Sequence, residues 1–454
     1  MEFNTNAKNK EAFVQAVQER VGQLAAELYE RMAQASRTLG EMEEAVTQAM
    51  WQVGRELLQT LCEQEVPRYP EGQIRCECGE TAEYVRMRTG QMKTQLGVLR
   101  LRRPYYLCES CGQGCYPMDE ALGFCAGSIS AGLEELLAYV GSQLAFEEAA
   151  GLLEQLRGLS VSSGRIRRAT EELGKRVQAE EAHAVEEAWE QGETPPVTAP
   201  LPPSQPFYIS MDGVSVLIRK QGGREQKLGA VYTTRAKPAR QRPDELEIRA
   251  EEMSFYTEMA DAETFGRGLW LEAQRRGLAQ AEQVVVIGDG AHWIWRLADE
   301  HFPGAIQILD WYHASSYIWK AAQAIYGPES DLGKRWARQR LDQLWEGKLD
   351  PLRKELQKYA THQAVQEAMA YYQNNRTRMD YPRYRQMGLQ IGSGVIESGC
   401  KHVIAHRLRQ AGMRWTEEGA QAVAKLRARL KSGRWQETAA LIPPPKRSYH
   451  RSAA

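Results

Sequence analysis

Apolar residues recur at three- and four-residue spacing through Val14, Val17, Val21, Leu24, Leu28 and Met32, and again from Met50 to Leu61. That period predicts helix over residues 11–66, a stretch with no Pro. From 67 to 125 the pattern changes. Gly and Pro appear, and alternation such as Glu83-Tyr84-Val85-Arg86-Met87-Arg88 predicts short strands. Residues 128–193 return to a helical period and close on an acidic run, Glu180 to Glu193. From Thr194 to Pro206, six of thirteen residues are Pro, which predicts a stiff, extended linker.

Beyond the linker the pattern mixes. Strands are predicted over 207–212, 228–234 and 253–259, then a helix over 261–276. The apolar run Val284 to Ile287 predicts a buried strand, 291–300 a helix and 305–309 another strand. From Ala314 to about Tyr372 the period is almost wholly helical. Strand-strand-strand-helix-strand-helix-strand is the order of the RNase H-like α/β fold. The expected organisation is an N-terminal helical region (1–66), a Cys-bearing module (67–127), a helical region (128–193) and the linker (194–206). A first catalytic part (207–313), a helical insertion (314–386) and a final basic segment (387–454) follow.

At 454 residues the chain is long enough for more than one core. Lys plus Arg number 58 and Asp plus Glu 59, a net charge of −1. That balance excludes a uniformly basic nucleic-acid coat and an acidic disordered chain, but it can hide separate patches. From Cys400 to Ala454, twelve Lys and Arg stand against three Glu, a net of +9. This segment predicts a DNA-contacting surface, with Lys401, Arg407, Arg409 and Arg414 as its nearest contacts to the site. No apolar run approaches the ~18 residues of a membrane span. Met1 to Lys10 carry no signal-peptide pattern, so a cytoplasmic, nucleoid-associated protein is expected.

Eight Cys stand at 62, 76, 78, 108, 111, 115, 125 and 400. Cys76-x-Cys78 and Cys108-x-x-Cys111 flank a strand-rich segment, the layout of a zinc ribbon with tetrahedral thiolate ligation. The first pair is one residue shorter than usual, and Cys115 is an alternative ligand. Residues 146–156 and 164–174 predict two helices around a Gly-containing turn, a helix-turn-helix candidate. Arg165, Arg167 and Arg168 lie near the start of the second helix, where such helices read base edges. A plain helical bundle has the same pattern.

Asp212 and Asp289 follow apolar strands, where α/β folds build sites. Asp beside Gly is also an ordinary turn former. Glu397 follows a Gly392-Ser393-Gly394 turn and precedes the basic residues. Carboxylates gathered from two strands and a helix can hold two Mg²⁺ or Mn²⁺ ions for phosphodiester chemistry. Asp310 and His313, in Asp310-Trp311-Tyr312-His313, can share one face of a helical turn.

These segments resemble bacterial insertion-sequence transposases of the ISKra type, within the wider group that includes Mutator-like enzymes. The resemblance lies in Cys76-Glu77-Cys78-Gly79, Leu101 to Cys108, Pro117-Met118-Asp119-Glu120, Ile209 to Gly213, Gly288-Asp289-Gly290-Ala291, Ile308 to His313, Ile391 to Glu397 and Gly412-Met413-Arg414-Trp415. It implies an RNase H-like Asp-Asp-Glu core with Asp212, Asp289 and Glu397 as catalytic metal ligands. Asp310 and His313 are accessory, and Asp310 is the alternative second carboxylate. It further implies an all-helical insertion, structural Zn²⁺, DNA strand cleavage and transfer at terminal inverted repeats, and a dimer or higher oligomer. A non-catalytic DNA-binding regulator and a nuclease that cuts without joining are the alternatives.

Overall fold

The computed structural model describes residues 7–33, 38–64, 72–122, 124–125, 129–192, 195–238, 246–442 and 449–450. The protein is mixed α/β with two sheets and divides into two compact units. One comprises residues 1–169 and 439–454, the other 170–438. No helix among the described residues is long and apolar enough to cross a membrane.

The first unit opens with helices α1 (Ala7–Ala33) and α2 (Leu39–Glu63). Thr38 and Glu41 form a capping box that starts α2. Strands β1 (Gln73–Arg75), β2 (Thr81–Thr94), β3 (Gly97–Leu107) and β4 (Gln113–Cys115) follow. β2 and β3 form an antiparallel hairpin, flanked by β1 and β4. The expected short strands are therefore two long ones with a bulge between Tyr84 and Arg86. Alternate residues Met92, Leu99 and Leu101 are buried against Cys62 of α2 and Met118 of α3 (Pro117–Ala121).

After β5 (Phe124–Cys125) and β6 (Ile129–Ser130) come α4 (Ala131–Gln143), α5 (Phe146–Arg157) and α6 (Ser163–Glu190). Leu133 and Leu137 of α4, Ala149 and Leu153 of α5 and Ile166 of α6 share one buried cluster. Each such Leu contributes about 2 kcal/mol by burial. α5 ends at Gly158, whose left-handed φ of 61° lets its amide cap the Glu154 carbonyl. Two helices and a Gly turn thus stand where they were expected, but the second runs on to Glu190.

The second unit is built on β7 (Phe207–Ile218), β8 (Gly222–Pro238) and β9 (Leu246–Glu258), then α7 (Ala262–Arg275), β10 (Val284–Gly288), α8 (His292–His301) and β11 (Ile306–Leu309). The sheet order is β11-β10-β7-β8-β9. β7, β8 and β9 are antiparallel neighbours, whereas β10 and β11 run parallel to β7. A helical block follows: α9 (Trp311–Tyr326), α10 (Asp331–Trp345), α11 (Leu349–Gln357), α12 (Gln363–Asn374) and α13 (Tyr381–Gln386). Then come α14 (Gly394–Gly399), a π-helical turn over Cys400–Ala405, α15 (His406–Leu408), α16 (Glu417–Lys431) and α17 (Trp435–Ala440).

Two expectations need correction here. The Pro-rich stretch does not separate the two units. It lies inside the second, where the amides of Thr198 and Leu201 donate to the carbonyls of Arg275 and Arg276 and Leu201 is buried. Pro removes donors but leaves enough amides and apolar surface for the segment to dock. Asp212 does not end its strand either, because the β7–β8 ladder continues to Ile218.

Candidate active site

β7, β10 and β11 lie side by side, and their register sets three carboxylates in line. Ser210 pairs with Ile287, and Gly288 pairs with Leu309. Counting on past those pairs brings Asp212 of β7 level with Asp289, just after β10, and with Asp310, just after β11. Neighbouring backbones in such a row are about 4.8 Å apart. The Asp310 amide donates to the Gly288 carbonyl at 2.8 Å, carrying the row past the end of the ladder.

Each carboxylate is then held differently. Asp310 is fully buried and caps α9. Its Oδ2 accepts from the His313 amide and lies 2.7 Å from His313 Nδ1, while Oδ1 accepts from the Ser393 amide at 2.5 Å. Burial alone would raise its pKa. The donors from His313 and Ser393 outweigh that and hold it below the ordinary carboxylate value. His313 is raised, first by its hydrogen bond to Asp310 and further by the charges of Asp310, Asp289 and Glu397. Asp212 moves the other way. Burial raises it, and the nearby Asp289 charge adds to the shift, although the Gly213 amide and the Cys400 thiol both donate to it.

Glu397 sits in the first turn of α14 and is exposed. Its Oε1 accepts from the Ser393 hydroxyl at 2.8 Å. Ser393 thus joins Asp310 to Glu397, its amide serving one and its hydroxyl the other. Immediately after Glu397 the helix widens into the π-turn, a feature frequent at functional sites. Buried Arg427 satisfies carbonyls of that turn at Val403 and His402. Asp289 Oδ1 accepts from the Ala291 amide at 2.9 Å, and its backbone carbonyl accepts from the Tyr371 hydroxyl at 2.5 Å. Gly290 has φ of 103°, and a Cβ there would lie 2.6 Å from the Tyr371 ring, so the loop needs Gly on both counts.

The result differs from the expected trio. Ligand-capable atoms of Asp310, His313 and Glu397 all lie within 4.8 Å of one another, so these three could hold a metal ion. Among the described residues, Asp212 and Asp289 stand outside that group. Both point to donors of their own, Gly213 and Cys400 for one and Ala291 for the other. Sequence reasoning missed Ser393, Cys400 and Tyr371. The Gly-Ser-Gly turn was visible, but nothing in it signalled that Ser393 would bridge two acids. Beside the row, a cavity of about 770 Å³ is lined by Gly290, His292, Trp295, Arg296, Tyr371 and Arg378, among others.

The second metal-capable cluster belongs to the first unit. Cys76, Cys78, Cys108 and Cys111 converge within 4.8 Å, with Cys115 outside the group. Cys76 and Cys111 sulfurs are 3.6 Å apart, and Cys78 and Cys108 sulfurs 3.7 Å. A tetrahedral site with Zn–S of about 2.3 Å has S···S edges of about 3.8 Å. The one-residue spacing of the first pair is no obstacle, because Gly79 at φ 92° returns its amide to the Cys76 carbonyl. The Cys111 amide donates to Cys108 and lowers that thiol to about 7, while the neighbouring sulfurs raise Cys78 and Cys111, so the crowded thiols ionise unequally.

Of the nine described cations of the basic segment, Arg407, Lys425, Arg427 and Arg429 are buried, whereas Lys401, Arg409, Arg414 and Lys431 are exposed. Lys425 Nζ lies 2.8 Å from Glu181 and 2.7 Å from Glu258. Arg429 pairs with Glu180, Glu181 and Glu437, and Arg434 with Glu272. Gly174 lets α6 approach α16 closely, since a Cβ there would meet the Ala422 backbone. Arg407, expected to touch DNA, is fully buried with its guanidinium over the Trp415 ring, 4.9 Å from the centroid. The chain itself thus supplies the anionic partners of Lys425, Arg429 and Arg434. Lys401, Arg409 and Arg414 are exposed, as are Arg167 and Arg168, while Arg165 is half-buried.

Comparison with known families decides what the chain is related to. Residues 32–440 match the uncharacterised protein family UPF0236. The chain belongs to that family. Comparison with curated proteins finds no match.

Proposed function

We propose that this UPF0236 protein is a DNA transposase with an RNase H-like catalytic unit, cutting transposon ends and joining them to target DNA. The observation that carries the reading is Asp212 on β7 beside Asp289 and Asp310 at the ends of the parallel strands β10 and β11, with Glu397 on a later helix grouped with Asp310 and His313. The sheet order, three antiparallel strands followed by two parallel ones, supports the same reading. So does the helical block between β11 and Glu397, where the resemblance to ISKra-type enzymes implies an insertion.

In this reading Asp212, Asp289 and Glu397, with Asp310 completing the row, hold the cations. Bound Mg²⁺ or Mn²⁺ would supply the charge that activates a water or a 3′-hydroxyl and stabilises the phosphate transition state. The chain's own part is positional. Asp310 keeps its negative charge through its three hydrogen bonds, and Ser393 fixes Glu397 beside it. The four-thiolate cluster acts as a zinc ribbon that folds the small β-hairpin module. The helix pair with Arg165, Arg167 and Arg168 binds terminal repeats, and Lys401, Arg409 and Arg414 hold DNA near the cut, on the cytoplasmic nucleoid. Two ends must be held together, which calls for a dimer or higher oligomer.

The test is end cleavage and strand transfer on duplexes carrying the element's ends, with Mg²⁺ or Mn²⁺. Asp289→Asn, Asp310→Asn and Glu397→Gln are each compared with the parent. Cleavage should vanish in Glu397→Gln and in at least one Asp variant, while end binding persists. Cleavage surviving in all three overturns the assignment, and cut but never joined products make the protein a nuclease.

A further inference from the structure

We propose that His313 and Glu397, with Asp310 holding the imidazole from behind, form a mixed nitrogen–oxygen site selective for a first-row transition-metal cation of the Mn²⁺ class over Mg²⁺. The argument concerns which atoms are left to coordinate. Both Asp310 oxygens already accept hydrogen bonds, so the Nδ1 facing Oδ2 is the donor and Nε2 is the imidazole nitrogen left to coordinate. This tautomer follows from the hydrogen bond rather than from a visible proton. Glu397 commits Oε1 to Ser393, which leaves Oε2. Asp310 is wholly buried whereas the His313 side chain is 43% exposed, so the orienting group is sheltered and the donor faces solution.

A carboxylate behind a metal-facing imidazole is the usual device for fixing such a ligand. Two carboxylates and a neutral imidazole also balance a divalent charge. Mg²⁺ prefers all-oxygen shells with retained water, whereas imidazole suits Mn²⁺, Fe²⁺, Co²⁺ and Zn²⁺. Asp212 and Asp289, which bring no nitrogen, present the harder surface. The site requires only these side chains and holds whether or not the protein moves DNA.

Zn²⁺ would also fill the cysteine cluster, so the probe is Mn²⁺ added to the intact, zinc-supplied protein without DNA. Electron paramagnetic resonance then counts bound Mn²⁺ in an excess of Mg²⁺, and its pulsed form reads nitrogen coupling. We expect bound Mn²⁺ with an imidazole nitrogen signature in the unaltered protein. His313→Gln should remove that signature and weaken binding by about tenfold or more. Asp289→Asn should leave the nitrogen signal in place. A wild-type spectrum without nitrogen coupling overturns the proposal with no variant needed. So does Mg²⁺ displacing Mn²⁺ at equal concentration. Since no DNA is present, failure here is separate from failure of strand transfer.

Discussion

Lys425→Ala separates an interior role for the C-terminal cations from a DNA-binding one. The Lys425 side chain is 2% exposed, with Nζ 2.8 Å from Glu181, 2.7 Å from Glu258 and 4.1 Å from the Tyr256 ring centroid. Removing it leaves Glu258 without its cation and Glu181 with Arg429 alone. Breaking one partner out of a buried pair costs about 3–5 kcal/mol, because the abandoned charge stays desolvated. For a unit of this size that is a fall in Tm on the order of 10 °C. Urea unfolding of the intact protein measures it, in low salt and in high salt. The loss should persist in high salt, since a buried network is poorly screened. If the segment were a DNA footprint instead, the substitution would cost under about 0.5 kcal/mol, as exposed changes do. It would also reduce the salt dependence of DNA binding. A loss below about 1 kcal/mol refutes the buried-network argument.

Glu181 is held down to about 2, burial being outweighed by the charges of Lys425 and Arg429. Its contribution is thus complete above the unfolded carboxylate value of about 4.3 and is lost as pH falls from there towards the folded value. Urea midpoints should drop between pH 5 and pH 2.5, and Glu181→Gln should flatten that slope. Arg407→Ala should destabilise the protein by about 2–4 kcal/mol through lost packing on Trp415, whereas Arg409→Ala should leave stability within about 0.5 kcal/mol. A thermal shift comparison settles that pair, and equal losses would contradict the burial pattern. Cys108→Ser should release bound zinc and unfold the β2–β3 module. Metal analysis with limited proteolysis tests this, and an unchanged metal content would remove the cluster as a zinc site.

Local patterns in the chain foretold a good deal. The alternation of β2, the apolar run of β10 and the period of α9 to α12 are short-range signals, and the elements appear where those signals stand. Asp212, Asp289, Asp310 and Glu397 were visible as acids beside strands or turns, and the Cys pairs as knuckles, because spacing along the chain sets those local geometries. The strand lengths were not visible, since the β7–β8 hairpin is extended by cross-strand pairing rather than by the residues of β7 alone.

Which residues meet is a different matter, decided by long-range packing. Ser393 bridges Asp310 and Glu397 across 83 positions in one case and four in the other, and no local pattern announces the first. Likewise His313 and Glu397 are grouped with Asp310, whereas Asp289 accepts from the Ala291 amide and stands outside that group among the described residues. The charge of the final segment makes the same point most plainly. The chain by itself determined that twelve cations follow Cys400. Only the tertiary structure decided that Lys425 and Arg429 turn inward to Glu181 and its neighbours, because a buried charge must be matched by whatever the fold brings within reach.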